Sequence, residues 1–186
     1  AFMYNPDSAG PLSPLVEWQP RDEQGQPLPA GASGEIWLKS VCNIKQYWNK
    51  PDANNINFDG DWMATGDIGY LDEENFVYLV GRAKDLIIRG GENIYPAEIE
   101  ACLSLHPGIS EAAIIAVPDE RLGEVPGAVI KPRNGAEICH DDIKTYLSNK
   151  LAAYKIPQNI WISNQDLPRN ASGKILKSEL VRQYID

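Results

Sequence analysis

The sequence predicts an α+β fold in two parts: a small antiparallel β-rich subdomain, then a compact mixed α+β domain. Three observations predict it. Residues 1–81 read as short strands divided by turns rich in Pro, Gly and Gln. Residues 82–186 interleave strand-like runs with segments whose apolar residues recur at helical spacing. Charge is also unevenly placed, with 12 Asp+Glu against 4 Lys+Arg in residues 1–81 and 14 against 13 in residues 82–186. The expected domains are therefore 1–81 and 82–186.

In the first part, "LVEWQP" and "GEIWLKS" read as strands around the turn "RDEQGQPLPAG". "NIKQYWNKPDANNINF" reads as two short helical pieces broken at Pro51. "WMATGDIGYLD" and "NFVYLVGR" form a hairpin closed by "EEN".

In the second part, "KDLIIRG" is a short strand. "PAEIEACLSL" is a helix, with Pro96 in its first turn, Glu98 near its N-terminus and Ile99, Cys102 and Leu103 on one face. "ISEAAIIAVPD", "EVPGAVIKP" and "QNIWISN" are strands. "DDIKTYLSNKLAAY" is a helix with Ile143, Leu147 and Leu151 four residues apart. Cys139 and His140 precede it, and the helix is expected to take its cap from Asp141 or water. "QDLPRNASG" is a loop and "ILKSELVRQYI" the last helix.

Composition narrows the function. The chain is 43% hydrophobic and carries a net charge of −9, and the acidic first part argues against a nucleic-acid partner. No apolar run approaches the ~20 residues of a membrane span. Its start has neither an initiator Met nor the pattern of a signal peptide, so it is expected to begin inside something longer. The three cysteines (Cys42, Cys102, Cys139) are scattered. They are expected to be free thiols in a reducing, cytoplasmic setting. The histidines, His106 and His140, lack metal-ligand spacing, and no metal site is expected.

Three stretches hold candidate chemistry. "RNASGKILK" presents Lys174 after Gly173. It is not a phosphate-binding Walker loop, because Pro168 stands five positions before Gly173 and Ile175 follows the lysine. What remains is a cation on a mobile segment, suited to meeting developing negative charge, or simply a surface lysine. "TGD" places Asp67 after a glycine turn, where a carboxylate can accept hydrogen bonds from a vicinal diol or close an Asx turn. "GRAKDLIIRGGENIYPAEIE" sets Arg82 at a strand end. Its Gly90 and Gly91 allow close backbone approach by a ligand, or just a hairpin turn.

Taken together, "TGDIGYLDEENFVYLVGRAKDLIIRGGENIYPAEIE", "AVPDERLGEVPGAVI" and "LPRNASGKILK" resemble the adenylate-forming superfamily, most of all its acyl-CoA synthetases. The resemblance implies the C-terminal part of a longer enzyme. Such an enzyme joins a carboxylic acid to ATP with Mg²⁺, then transfers the acyl group from AMP to coenzyme A. Residues 1–81 would be the last β-rich subdomain of its large N-terminal part, and 82–186 the mobile C-terminal domain. Asp67 would hold the ribose hydroxyls of ATP, with Arg82 beside it. Lys84 would be the hinge. Gly90 and Gly91 would line the pantetheine path, and Lys174 would be the catalytic lysine of adenylation. Ser172 stands where Thr is frequent. The family's phosphate loop, acyl pocket and Mg²⁺-associated glutamate have no counterpart in these residues, so the chain alone is expected to be inactive. Two alternatives remain: part of an adenylation module that loads a carrier protein, or a non-catalytic binding module.

Overall fold

A computed structural model describes residues 5, 8–29 and 31–185 of the chain. Ala30, in the turn expected over 21–31, lies outside them, as do residues 1–4, 6 and 7 at the start of the sequence. The chain divides into two units, Ala1–Lys84 and Asp85–Asp186. The last strand of the first unit runs on to Arg82, and a single 3-10 turn, Ala83–Asp85, follows it.

The first unit is an antiparallel sheet. Its strands are β1 (Gly10–Pro11), β2 (Val16–Arg21), β3 (Gly34–Ser40), β4 (Phe58–Asp59), β5 (Trp62–Leu71) and β6 (Phe76–Arg82). They are ordered β1-β6-β5-β3-β2, with β4 beside β5. The β5–β6 hairpin closes as its "EEN" suggests. Asp72 Oδ1 accepts the amides of Glu74 and Phe76, and Asn75 takes φ 63°, which Asn tolerates better than most residues. Only one of the two expected helical pieces exists, α1 (Pro51–Asn57). Pro51 starts it and does not break a longer one, since a proline in the first turn gives up an N–H that has no helical partner. Residues 43–50 are held instead by Asn54, whose side chain bonds both the N–H and the C=O of Tyr47.

The second unit has three layers. Strands β7 (Ile87–Arg89), β8 (Glu92–Ile94), β9 (Ile109–Asp119), β10 (Gly123–Pro132) and β11 (Asn159–Ile162) make one sheet, antiparallel except for the pair β10–β11. Alternate residues of β9 and β10 serve opposite faces. Ile114, Ala128 and Ile130 join Ile99 and Leu103 of α2 (Pro96–Ser104) and Ile143 and Leu147 of α3 (His140–Ser148). Ala113, Ile115 and Val129 join Leu167 and, from α4 (Lys177–Tyr184), Leu180. The expected α+β class is the one observed, and solved structures share it.

Two helix expectations need correction. α3 ends at Ser148, and Leu151 packs on the same core from the turn after it. Leu147 C=O accepts the amides of both Lys150 and Leu151, and Asn149 Nδ2 donates to Thr145 C=O, which closes the helix early. Its cap is Cys139 itself, whose Sγ accepts the Asp142 amide at 3.4 Å. A thiol sulfur is a weak but workable acceptor there. Among the described residues no helix is long and apolar enough to cross a membrane.

Candidate functional site

Asp67 sits on β5, the middle strand of the first sheet, directly opposite Arg82 of β6. Gly66 before it has φ 72°, open to glycine at little cost, and the ladder shifts register between Ile68 and Gly69. Such an irregularity turns a side chain out of the regular pleat. Thr65 fixes the turn, with Oγ1 donating to Ile36 C=O at 2.9 Å and accepting the Asp67 amide at 3.1 Å. Arg82 Nε then meets Asp67 Oδ1 at 2.9 Å, and its Nη1 donates to Thr65 C=O. The pair is partly exposed, at 33% for Asp67 and 48% for Arg82. No described residue donates to Asp67 Oδ2, so the carboxylate keeps acceptor capacity for a diol.

Lys84 lies exposed in the 3-10 turn, the last residue of the first unit. In the second unit, Gly90 (φ 58°) and Gly91 (φ 90°) form the turn between β7 and β8. The Gly90 amide donates to Leu122 C=O at 2.8 Å, and a Cβ there would lie 3.2 Å from Leu122 Cδ2. A Cβ on Gly91 would meet nothing within 4 Å. That side of the turn is open to a ligand. Asp119 anchors Leu122 in turn, because its Oδ1 accepts the amides of Leu122 (2.8 Å) and Arg121 (3.0 Å). These two bonds, Leu122 first, hold the Asp119 carboxyl below the usual carboxylate range.

Lys174 is exposed on a short hairpin. Leu176 N–H reaches Pro168 C=O (2.8 Å), Asn170 N–H reaches Lys174 C=O (2.9 Å), and Arg169 bridges Ile175. Asn170 Oδ1 gathers the Ser172 amide, the Ser172 hydroxyl and the Lys174 amide at 2.8–3.1 Å. Gly173, at φ 83°, makes the bend. Ser172 therefore needs only its hydroxyl for this role, which Thr would supply as well. The Lys174 ammonium itself has no ion-pair or hydrogen-bond partner among the described residues. The turn was legible in the Asn-x-Ser spacing, an Asx signal. The Arg169–Glu111 and Lys177–Glu100 ion pairs on either side of the lysine join residues far apart in sequence and left no local sign.

Asp67 and Arg82 are thus brought together within the first unit, while Gly90, Gly91 and Lys174 lie in the second. No group of three or more His, Cys, Asp or Glu side chains able to hold a metal ion occurs among the described residues.

A carboxylate paired with an arginine on a β-hairpin, in a chain that also presents a lysine with no partner among the described residues, defines a class of protein when set beside known ones. Residues 98–174 match the AMP-binding enzyme C-terminal domain. The chain is 42% identical over 177 residues to the long-chain-fatty-acid–CoA ligase FadD13 of Mycobacterium tuberculosis, covering 95% of this chain and 35% of that protein. It is 43% identical over 180 residues to a 2-succinylbenzoate–CoA ligase of Bacillus cereus, covering 96% and 36%. Among solved structures, o-succinylbenzoate CoA synthetase of Bacillus subtilis, in complex with its acyl-adenylate intermediate, matches with TM-score 0.87 and 38% identity over 96% of this chain and 36% of that one. ATP-bound MatB of Rhodopseudomonas palustris matches with TM-score 0.87 and 38% identity over 97% and 36%. The chain belongs to the adenylate-forming superfamily of AMP-binding enzymes. It spans 35–36% of the length of these relatives.

Proposed function

We propose that the chain serves as the C-terminal part of an ATP-dependent acid–thiol ligase that makes an acyl-adenylate from a carboxylic acid and passes the acyl group to coenzyme A. The observation that carries this is the unpartnered Lys174 ammonium held out on a hydrogen-bonded turn. A fixed cation in that form stabilises charge that appears only in the transition state. Units 1 and 2 would be the last β-rich subdomain of the large part and the mobile C-terminal domain, with Lys84 as hinge.

Each residue has a defined task. Asp67 accepts the ribose hydroxyls, and Arg82 orients that carboxylate through the 2.9 Å pair. Lys174 donates to the oxygens of the reacting carboxylate and α-phosphate. Gly90 and Gly91 leave room along the backbone for the pantetheine arm. ATP supplies the activating AMP group. The described residues do not fit Mg²⁺, since they form no cluster able to hold it, and its ligands would lie elsewhere in the longer enzyme. The named relatives act on fatty, aromatic and dicarboxylic acids, so the acid is proposed as an organic carboxylate, with a fatty acid as one candidate. The three cysteines are free, in keeping with a cytoplasmic setting.

The test is acid-dependent ATP–pyrophosphate exchange, followed by CoA-dependent AMP release, in the enzyme carrying this chain. Both are expected, with neither from the 186 residues alone. Exchange by the isolated chain, surviving Lys174→Ala, would overturn the assignment.

A further inference from the structure

The turn that carries Lys174 is fastened at both ends to one strand. On its N-terminal side, Arg169 Nη2 meets Glu111 Oε1 at 3.1 Å, and Arg169 Nη1 donates to Gly173 C=O. Glu111 is a residue of β9, and its Oε2 is buried with no other partner. On the C-terminal side, Lys177 Nζ meets Glu100 Oε1 at 2.8 Å and lies 3.9 Å from Asp85 Oδ2. Glu100 projects from α2, and the same Oε1 accepts the Ile114 amide of β9 at 2.8 Å. Among the described residues β9 pairs only with β10, so this amide on its free side would otherwise lack a partner. Lys177 and Glu100 are each about three-quarters buried, at 24% and 27% exposure. Asp85 is the first residue of the second unit, directly after Lys84.

We propose that Lys177 is a positioning residue. With Glu100 it fixes the C-terminal stem of the Lys174 turn on β9, as Arg169 and Glu111 fix the N-terminal stem. The inference rests on the assignment of Lys174 to adenylation. Only two backbone hydrogen bonds, at 2.8 and 2.9 Å, join the stems to each other, and a ladder that short does not hold its own register. The ion pairs tie it to a strand whose neighbours are buried in both cores. Lys177 also reaches Asp85, so the same ammonium connects the lysine turn to the residue at which the second unit begins.

Glu100→Gln separates the charge from the fold, because the amide oxygen still serves the Ile114 N–H. Lys177→Met removes the ammonium, and Lys177→Arg keeps a cation. Amide hydrogen exchange in the 186-residue chain is the first readout. Exchange at Ser172 and Lys174 should rise roughly fivefold in Glu100→Gln and Lys177→Met, the scale of one partly exposed ion pair. It should stay near the parent value in Lys177→Arg, with Ile114 still protected in Glu100→Gln. In the enzyme, the same two variants should slow acyl-adenylate formation severalfold and leave thioester formation from supplied acyl-adenylate unchanged. Unaltered exchange at Ser172 and Lys174, or equal slowing of both half-reactions, overturns the inference. Lys174→Ala run alongside separates the two failures. If that variant leaves adenylation intact, the functional assignment falls. If it abolishes adenylation while Glu100→Gln does not slow it, only the positioning role falls.

Discussion

The two units hold their candidate charged residue in opposite ways. In the first, Asp67 is already paired, across one rung of an antiparallel ladder, to Arg82 at 2.9 Å. In the second, Lys174 has no partner among the described residues, while the residues around it are tied down. In the proposed role, a carboxylate that accepts ribose hydrogen bonds gains orientation from a neighbouring guanidinium. A lysine that must meet charge formed during the reaction would be quenched by a resident partner. The scaffolds differ in the same sense. Among the described residues, Ile36, Trp37, Ala64 and Ile68 are the buried apolar residues of the first unit, and that unit leaves Val41 and Trp48 about 90% exposed. The second unit buries Ile87, Ile94, Ile99, Leu103, Ile109, Ile114, Ile130, Ile143, Leu147 and Leu180 almost completely.

The largest expected effect falls on the unpartnered charge. Lys174→Ala should slow acyl-adenylate formation on the order of 10²–10³-fold, the usual cost of removing one preorganised donor. Thioester formation from supplied acyl-adenylate should be nearly unchanged. Separate assays of the two half-reactions check this, and equal losses in both would mean that the lysine only holds its turn. Asp67→Asn comes next. It removes a charged acceptor but keeps an oxygen, and hydrogen bonds to charged groups contribute about 1.5–3 kcal/mol. The KM for ATP should therefore rise by roughly ten- to a hundredfold. A change in kcat with no change in KM would contradict the diol role.

The contrast between the scaffolds gives a third prediction. Limited trypsin digestion of the chain should clear the first unit at least severalfold faster than the second, because opening a thinly buried region costs less. The surviving core should begin close to Asp85. A resistant core confined to residues 1–84 would reverse the assignment of stability.

What the sequence disclosed follows from how local each signal is. The runs "GEIWLKS" and "ISEAAIIAVPD" coincide with β3 and β9, because composition and flanking turns act over a few neighbours. The sequence also placed one helix too many before Pro51 and ran α3 on through Tyr154. There the apolar spacing was real, but side-chain bonds from Asn54 and Asn149 ended or replaced the helix. At the candidate site, the residue types were legible from motif wording. Their support was not. The Glu111–Arg169 and Glu100–Lys177 pairs span 58 and 77 positions, and only the sheet brings them together.

The smallest effect sharpens a comparison between two turns built alike. Asn170 Oδ1 gathers the amides of Ser172 and Lys174, and Asp119 Oδ1 gathers those of Arg121 and Leu122. One acceptor is neutral and the other titrates. The Asp119 carboxyl is held below its ordinary 3.8, chiefly by the Leu122 and Arg121 amides. A carboxyl lowered on folding contributes its stability fully above the unfolded value and loses it as pH falls through the lower folded value. Asp119→Ala should therefore be less stable than the parent at pH 6, with the gap narrowing below pH 3.8. Asn170→Ala should instead show a gap that does not change with pH, since an amide binds no proton in this range. Urea midpoints of both variants at pH 6 and at about pH 2.5 make the measurement. Because Leu122 C=O receives the Gly90 amide, the Asp119 variant should also speed hydrogen exchange at Gly90 near neutral pH. A pH-independent gap for Asp119→Ala would mean that its two amide bonds do not favour the ionised form.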